Sequence, residues 1–246
     1  MPWRDDVTVS DDYTSFATKQ TTGGQVWDAA RQLRCFLESH PAVLEGCRTV
    51  LELGSGTGWL GMSVARNVPT IERIYLTEMV AGGAFAWLQH NVAQNASLPL
   101  QAVQTMPCDW AWFGGNGDAE QDSMEIEGAR RVVQTTAFDL VIGSDLVYEE
   151  LGMLSLVRVF AAVASRGVRI LYAHTRYRFE MLDRDFFEAL EQAGLDVVQV
   201  DPAPAERSDS PPPMTELFPD MKCVVLELRR RACSEGPPGP GIGEQC

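Results

Sequence analysis

Residues 50–58 decide the fold of this chain, and they read Val-Leu-Glu-Leu-Gly-Ser-Gly-Thr-Gly. An apolar run, residues 59–65, follows at once, so the predicted order is strand, glycine turn and helix. Glycines at this spacing let the backbone turn sharply and bring bare N–H groups to a ligand at the positive end of a helix. The segment therefore predicts a nucleotide-type cofactor site. The residues expected to meet that ligand are Gly54, Ser55, Gly56 and Gly58.

Two acidic residues narrow the choice of cofactor. The turn has the spacing G-x-G-x-G, whereas turns that cradle a pyrophosphate read G-x-G-x-x-G. Glu52 stands two residues before the first glycine, where a carboxylate would repel phosphates. Glu78 ends an apolar run roughly 20 residues past the glycines, where a carboxylate is expected to accept both hydroxyls of a ribose. The pair disfavours NAD and favours a cofactor with a cationic amino-acid end.

Strand and helix patterns alternate along the chain, which predicts an α/β fold with a doubly wound, mostly parallel, seven-stranded sheet. A helix over residues 25–39 comes first and is stopped by Pro41. No helix separates the last two strands, so the last strand can run antiparallel. The predicted strands are residues 49–53, 73–77, 101–106, 138–143, 168–173, 196–200 and 223–228. The later predicted helices are residues 58–66, 82–94, 151–164 and 178–192.

Length and composition fit one domain with short flanking segments. The chain has 246 residues and is 45% hydrophobic, which is enough to bury a full core. We expect an N-terminal extension over residues 1–24, one folded domain over 25–230 and a disordered Gly/Pro-rich tail over 231–246. Residues 114–128 combine glycine with acidic side chains, which predicts an inserted acidic loop.

The charge of the chain bears on its partners. The net charge of −14 argues against a nucleic-acid binder, because surfaces that track phosphates need clustered Lys and Arg. It suits a basic or neutral partner. No apolar run reaches the length of a membrane span, and residues 1–6 lack the basic end and apolar core of a signal peptide. We expect a cytoplasmic or nuclear location without membrane contact. The six cysteines show no metal-ligand spacing, so no metal site is predicted.

The end of the fourth predicted strand carries the residues that bear on the reaction. Residues 138–150 read Phe-Asp-Leu-Val-Ile-Gly-Ser-Asp-Leu-Val-Tyr-Glu-Glu. Parallel sheets bind ligands at the carboxyl ends of their strands, so Asp145 and Tyr148 are expected at the mouth of the site. Asp145 could as easily cap the next helix, and Tyr148 could be a packing residue. An acid at this point favours a cationic acceptor.

These motifs resemble those of the class I, seven-strand S-adenosylmethionine-dependent methyltransferases. Glu52 would then lie near the methionine end of the cofactor and Glu78 on the ribose. Asp145-x-x-Tyr148 resembles the signature of the protein-lysine methyltransferases of the methyltransferase-like group. That family has an antiparallel edge strand at the end of its sheet, and the resemblance covers roughly residues 20–200 in the expected order.

Three further matches extend the resemblance to the cofactor pocket. Residues 24–30 look like the group's upstream element, in which Trp27 would line the pocket. Asp109 and Trp110 correspond to the polar residue and the tryptophan that meet the adenine. Ser144 takes the position of a backbone contact to the cofactor.

The resemblance implies a protein N-methyltransferase that uses S-adenosylmethionine and releases S-adenosylhomocysteine. Its expected substrate is an intracellular protein with an accessible lysine in a locally basic surrounding. Asp145 would accept a hydrogen bond from the arriving ammonium, and Tyr148 would orient the nitrogen. Three alternatives stay open: a histidine or arginine acceptor, a small-molecule acceptor, and a catalytically silent interaction protein with this fold.

Overall fold

Seven strands form one sheet in the computed structural model, which describes residues 2–10, 24–113, 124–201 and 222–232. The strands are β1 (Thr49–Leu53), β2 (Arg73–Glu78), β3 (Val103–Pro107), β4 (Leu140–Ser144), β5 (Arg169–Arg176), β6 (Leu195–Asp201) and β7 (Lys222–Arg230). The helices are α1 (Asp28–Ser39), α2 (Trp59–Asn67), α3 (Ala84–Gln94), α4 (Met124–Thr135), α5 (Glu150–Ala164) and α6 (Glu180–Gln192).

The strand order confirms the predicted fold class. The order is β3-β2-β1-β4-β5-β7-β6, and every neighbouring pair from β3 to β5 is parallel. The chain runs outward from β1 to β3 and then returns to place β4 on the other side of β1. This reversal opens a crevice at the carboxyl ends of β1 and β4, which is where doubly wound sheets bind ligands.

The last strand is antiparallel as predicted, but the expectation that it lies at the edge is wrong. β7 lies between β5 and β6 and is antiparallel to both. Its central residues are buried in succession, which is typical of a strand covered on both faces, whereas β6 is largely exposed. Since only a strand with apolar residues on both faces can fill an interior position, β7 is interior and β6 forms the edge.

Apolar side chains on both faces of the sheet build the core. Val50 packs in a cluster with Leu33 of α1 and Leu60 of α2 on one face. Leu51, the next residue of β1, belongs to the cluster on the opposite face together with Phe160 of α5. Successive strand residues point to opposite faces, so the unbroken apolar run of β1 follows from helices on both sides.

The flanking segments differ in part from the sequence prediction. Residues 2–10 of the predicted extension pack on the domain: Val7 is buried, and the Trp3 N–H group donates to the Glu38 carboxylate over 2.9 Å. The predicted acidic loop ends earlier than expected, because helix α4 begins at Met124. The acidic residues at the start of this helix favoured a loop prediction, although its Ala129 and Val133 are buried. Residues 11–23, 114–123, 202–221 and 233–246 lie outside the described ranges, and with them most of the predicted loop and tail.

We expect Phe160→Ala to lower the free energy of unfolding by about 3–5 kcal/mol, because Phe160 is fully buried and truncation leaves a cavity. Met181→Ala is the control, since Met181 is 63% exposed, and it should change this free energy by less than about 0.5 kcal/mol. Urea unfolding measures both variants. Equal losses in the two would contradict the packing of α5 on the sheet.

Candidate active site

The carboxyl ends of β1, β2 and β4 surround a cavity of about 270 Å³. Every site residue predicted from the sequence lines this cavity except Gly58. The lining residues among them are Trp27, Glu52, Gly54, Ser55, Gly56, Glu78, Asp109, Trp110, Ser144, Asp145 and Tyr148. Residues from five separate stretches of the chain therefore meet at one place, the crevice beside the reversal of strand order.

The glycine turn needs glycine for its conformation and for space. Gly54, Gly56 and Gly58 all have positive φ, between 52° and 77°. Residues with a Cβ disfavour this backbone conformation, whereas glycine adopts it readily. A Cβ at Gly54 would lie 2.5 Å from Leu146 Cδ2, so the turn also packs tightly against the residue after Asp145. A Cβ at Gly58 would lie 2.6 Å from Leu88 Cδ1. Gly58 thus shapes the start of α2 against α3 without reaching the cavity.

Glu78 holds the glycine turn and faces the cavity. One oxygen of its carboxylate accepts the Gly56 N–H group over 2.8 Å, and the other accepts its neighbour Met79 N–H over 2.9 Å. Burial raises the pKa of Glu78 above its ordinary value. A carboxylate has about four acceptor positions, so lone pairs remain for two hydroxyl groups of a ligand.

Glu52 is a buried carboxyl group with no cationic partner among the residues that the structure describes. It is 2% exposed, and its Oε2 accepts the Gly61 N–H group over 3.1 Å. Burial raises the pKa of Glu52 from 4.5 to about 8, and the two donors, Ser55 and Gly61, offset this only in part. A buried carboxylate is stable only when a cation or several donors compensate it, so this part of the cavity suits a positively charged ligand group.

The remaining walls of the cavity carry aromatic rings and a cysteine that is not suited as a nucleophile. Trp27 lies just before α1, and the Arg178 guanidinium sits 4.9 Å from the centre of its ring. Trp110 lines the cavity beside Asp109, whose side chain accepts the Ala111 N–H group over 2.8 Å. Burial raises the pKa of the Cys108 thiol to about 12, which leaves it protonated at neutral pH and unsuited as a nucleophile.

Asp145 joins the ends of β4 and β5. Its Oδ1 accepts the Thr175 N–H group over 2.8 Å. Its Oδ2 accepts the Thr175 hydroxyl over 2.9 Å and Arg178 Nη2 over 3.0 Å. The Asp145 side chain is 3% exposed, whereas Tyr148 is 38% exposed at the rim. The acid therefore lies at the base of this part of the cavity and the tyrosine at its mouth.

Sequence reasoning missed Thr175 and Arg178. The fifth strand was predicted to end at residue 173, but β5 continues to Arg176, so its carboxyl end was placed too early. The rule that located Asp145, that ligands bind beyond strand ends, finds both residues once β5 has its full length. His174, in the same stretch of β5, is buried and is not part of the cavity lining.

Comparison with known proteins identifies the family. Residues 14–193, more than two thirds of the chain, match the family model described as lysine methyltransferase. The chain belongs to the lysine methyltransferase family. This confirms the predicted resemblance to the protein-lysine methyltransferases, whereas the roles of Asp145 and Tyr148 stay predictions.

Individual relatives show how far the similarity extends. Protein-lysine N-methyltransferase EEF2KMT of Mus musculus is 29% identical over 236 residues, which cover 93% of this chain and 64% of that protein. Protein N-lysine methyltransferase METTL21A of Danio rerio is 30% identical over 180 residues, 72% of this chain and 71% of that protein. The Homo sapiens EEF2KMT is 32% identical over 173 residues, 67% of this chain and 47% of that protein.

The cavity fits S-adenosylmethionine, the cofactor of this family and fold. Its amino-acid end carries an ammonium group, and this cation matches the uncompensated carboxyl group of Glu52. The two hydroxyls of its ribose match the free acceptor positions of Glu78, and Trp27 and Trp110 line the cavity with aromatic surface. Within the described ranges no helix is both long and apolar enough to cross a membrane. The same ranges contain no cluster of His, Cys, Asp and Glu suited to a metal ion.

Glu78→Ala should weaken binding of S-adenosylhomocysteine by about 1.5–3 kcal/mol, or about 10- to 150-fold in Kd, because a charged acceptor for the ribose is lost. Glu72→Ala is the matched control, since Glu72 precedes β2 and pairs with Arg48 at the surface. Titration calorimetry measures both. Unchanged affinity in Glu78→Ala would remove Glu78 from the ribose site.

Glu52→Gln should change how stability depends on pH. The folded-state pKa of about 8 lies above the ordinary 4.5, so the folded protein holds a proton that the unfolded chain releases across this range. Glu52 therefore stabilises the fold below about pH 4.5, and this stability is lost as pH rises toward 8. Between these limits we expect the free energy of unfolding of Glu52→Gln to rise relative to that of the wild type by up to about 4 kcal/mol.

Urea unfolding of the wild type and of Glu52→Gln across that pH range gives the free energy of unfolding as a function of pH for each protein. The difference between the two curves tests the prediction. Glu45→Gln is the control, since Glu45 is exposed and its curve should parallel that of the wild type. Parallel curves for Glu52→Gln as well would show that the carboxyl group ionises freely in the folded protein.

Proposed function

We propose that this chain is an S-adenosylmethionine-dependent protein N-methyltransferase that methylates a lysine side chain. The observation that carries the proposal is that Asp145 and Tyr148 share one cavity with the residues suited to the cofactor. The relatives named above are protein-lysine methyltransferases, which supports the same acceptor. The chain spans 64% of the mouse relative, so the activity is carried over as a proposal.

The chain's own residues would hold the cofactor in a fixed orientation. Glu52 takes the ammonium group and Glu78 the ribose, while Ser55 and Ser144 also line the cavity. Bound there, S-adenosylmethionine supplies an electrophilic methyl group on a sulfonium. Asp109 and Trp110 are assigned to the adenine, and Trp27 to the wall beside Arg178.

Asp145 is assigned to the target nitrogen. Three of its roughly four acceptor positions are used by Thr175 and Arg178, which leaves one for a hydrogen bond from the substrate. Since Arg178 already neutralises its charge, Asp145 can orient the nitrogen without holding a full ammonium ion tightly. This suits the chemistry, because a lysine has a free pKa of about 10.4 and must lose a proton before it can attack.

The acceptor side favours the neutral amine by burial. Leu146 and Gly54 close the base of the cavity around Asp145, and an apolar surrounding disfavours the charged form of an amine. Tyr148 at the rim is assigned to orienting the nitrogen and excluding water. Catalysis then comes from alignment and desolvation, and a strong base is not required.

Acidic residues beside Tyr148 support a locally basic protein substrate. Glu149 lines the cavity and Glu150 begins α5, and both are exposed. Exposed carboxylates at the mouth would attract a basic segment, an effect that salt screens. The absence of nucleic-acid and membrane partners and the cytoplasmic or nuclear location stay predictions from the sequence.

We expect Asp145→Asn to lower methyl transfer by about 100-fold, equivalent to about 2.7 kcal/mol, with Tyr148→Phe losing less. Cofactor affinity should stay within about twofold of wild type, since neither residue is assigned to the cofactor. Asp185→Asn, an exposed acid on α6, is the control and should keep full activity. The assay follows labelled methyl groups from S-adenosylmethionine into lysate proteins, and mass spectrometry identifies the modified residue. Retained activity in Asp145→Asn would overturn its role, and a modified histidine would overturn the lysine acceptor.

A further inference from the structure

Three polar side chains are buried behind the acceptor side without reaching the cavity. Tyr172 and His174 lie on β5 and Asp183 lies on α6, and they are 0%, 2% and 8% exposed. Buried polar groups are costly unless they are hydrogen-bonded, and here the rings of Tyr172 and His174 pack against Phe186. The methyl-transfer site as described above makes no use of them.

The three residues form one continuous chain of hydrogen bonds, the relay. Tyr172 Oη accepts the Leu146 N–H group over 3.0 Å and lies 3.4 Å from His174 Nδ1. His174 Nε2 lies 3.1 Å from Asp183 Oδ1. The Asp183 carboxylate can only accept, so Nε2–H donates to it. A neutral imidazole then accepts the Tyr172 hydroxyl at Nδ1, and each member of the relay is satisfied.

Both ends of the relay hold backbone next to the acceptor residues. At one end the Leu146 N–H group directly follows Asp145. At the other end Asp183 Oδ2 accepts the Tyr177 N–H group over 2.6 Å, and Tyr177 directly precedes Arg178. Arg178 and Asp145 are themselves paired. The relay therefore closes a ring of contacts around the base of the acceptor side.

The two segments that the relay holds are conformationally strained. Asp145 has φ of 51° and Tyr177 has φ of 66°, and they are the two non-glycine residues with positive φ in the described part of the chain. A left-handed backbone at such residues persists only where the surroundings enforce it. Each residue lies beside one end of the relay, which accounts for both conformations.

We propose that Tyr172, His174 and Asp183 are positioning residues for the methyl acceptor. They fix the turns that carry Asp145, Tyr148 and Arg178, so that these side chains meet the target nitrogen in one geometry. The effect of these residues on rate rests on the proposed methyl transfer. Their effect on the two turns does not depend on any substrate. The relay serves the acceptor side, because its hydrogen bonds end on the backbone at Leu146 and Tyr177 and none of them goes to the glycine turn or to Glu78.

Tyr172→Phe tests the relay, because it removes the hydroxyl and keeps the ring. We expect kcat to fall about 10-fold, with the KM for S-adenosylmethionine within about twofold of wild type. Tyr75→Phe is the matched control: Tyr75 is a buried tyrosine on β2, and its variant should keep kcat even if stability falls equally. An unchanged kcat in Tyr172→Phe, or an equal fall in both variants, would overturn the proposal.

Amide hydrogen exchange gives a readout that needs no substrate. In Tyr172→Phe, exchange should accelerate at residues 145–148 and 176–179 and stay unchanged at residues 54–58. In Tyr75→Phe the first two segments should exchange as in wild type. If no methyl transfer is found in the wild type, this experiment still decides whether the relay fixes the turns, and unaltered exchange in Tyr172→Phe would refute it.

A double variant separates a relay from three independent structural residues. His174→Phe should lower kcat as Tyr172→Phe does, and the double variant should lose no more than either single one, because both break the same chain. If His174→Phe does not fold, Asp183→Asn replaces it, since an asparagine has one acceptor oxygen for the two donors. Additive losses in kcat would show that the residues act separately and would overturn the relay.

Discussion

Hydrogen bonds join the glycine turn to the end of β2, and the geometry of the site depends on them. The Ser55 N–H group donates to Thr77 O, and the Thr77 N–H group donates back to Ser55 Oγ. The Thr77 hydroxyl donates to Glu52 O, while the Gly56 N–H group donates to Glu78. Because the turn and the strand end hold each other, the two acidic residues assigned to the cofactor cannot move independently. This fixes the cofactor side before any ligand arrives.

The two ends of the cavity differ in their electrostatics. At the cofactor end, Glu52 and Glu78 are carboxyl groups whose pKa values burial raises. At the acceptor end, Asp145 is paired with Arg178, which also stacks on Trp27. A bound cation would favour the ionised carboxylates at the first end, whereas the second end offers a carboxylate that Arg178 already compensates. A ligand with a positive group therefore has a preferred orientation in such a cavity, with that group toward Glu52.

The sequence predicts those parts of the site that lie close along the chain. The strand, glycine turn and helix around Gly54, and the acids after β2 and β4, follow local patterns of burial and glycine spacing. Contacts between distant segments have no such pattern. Thr175 and Arg178 were missed because β5 is longer than its apolar run suggests. The place of β7 was missed because strand order depends on which faces are covered, and helix α4 because acidic residues resembled a loop.

The interior place of β7 has a consequence for how the protein is made. β5 carries Tyr172, His174 and Thr175, and it gains its second neighbour only when Leu226, Val224 and Cys223 of β7 pair with it. On the ribosome the glycine turn and its acids emerge long before that strand. The nascent chain thus holds an unpaired inner strand with a bare edge until β7 has been synthesised, and such edges invite pairing with other chains. The half of the sheet that carries the relay is therefore completed only after β7 has been made, and its open edge is exposed to other chains during that interval.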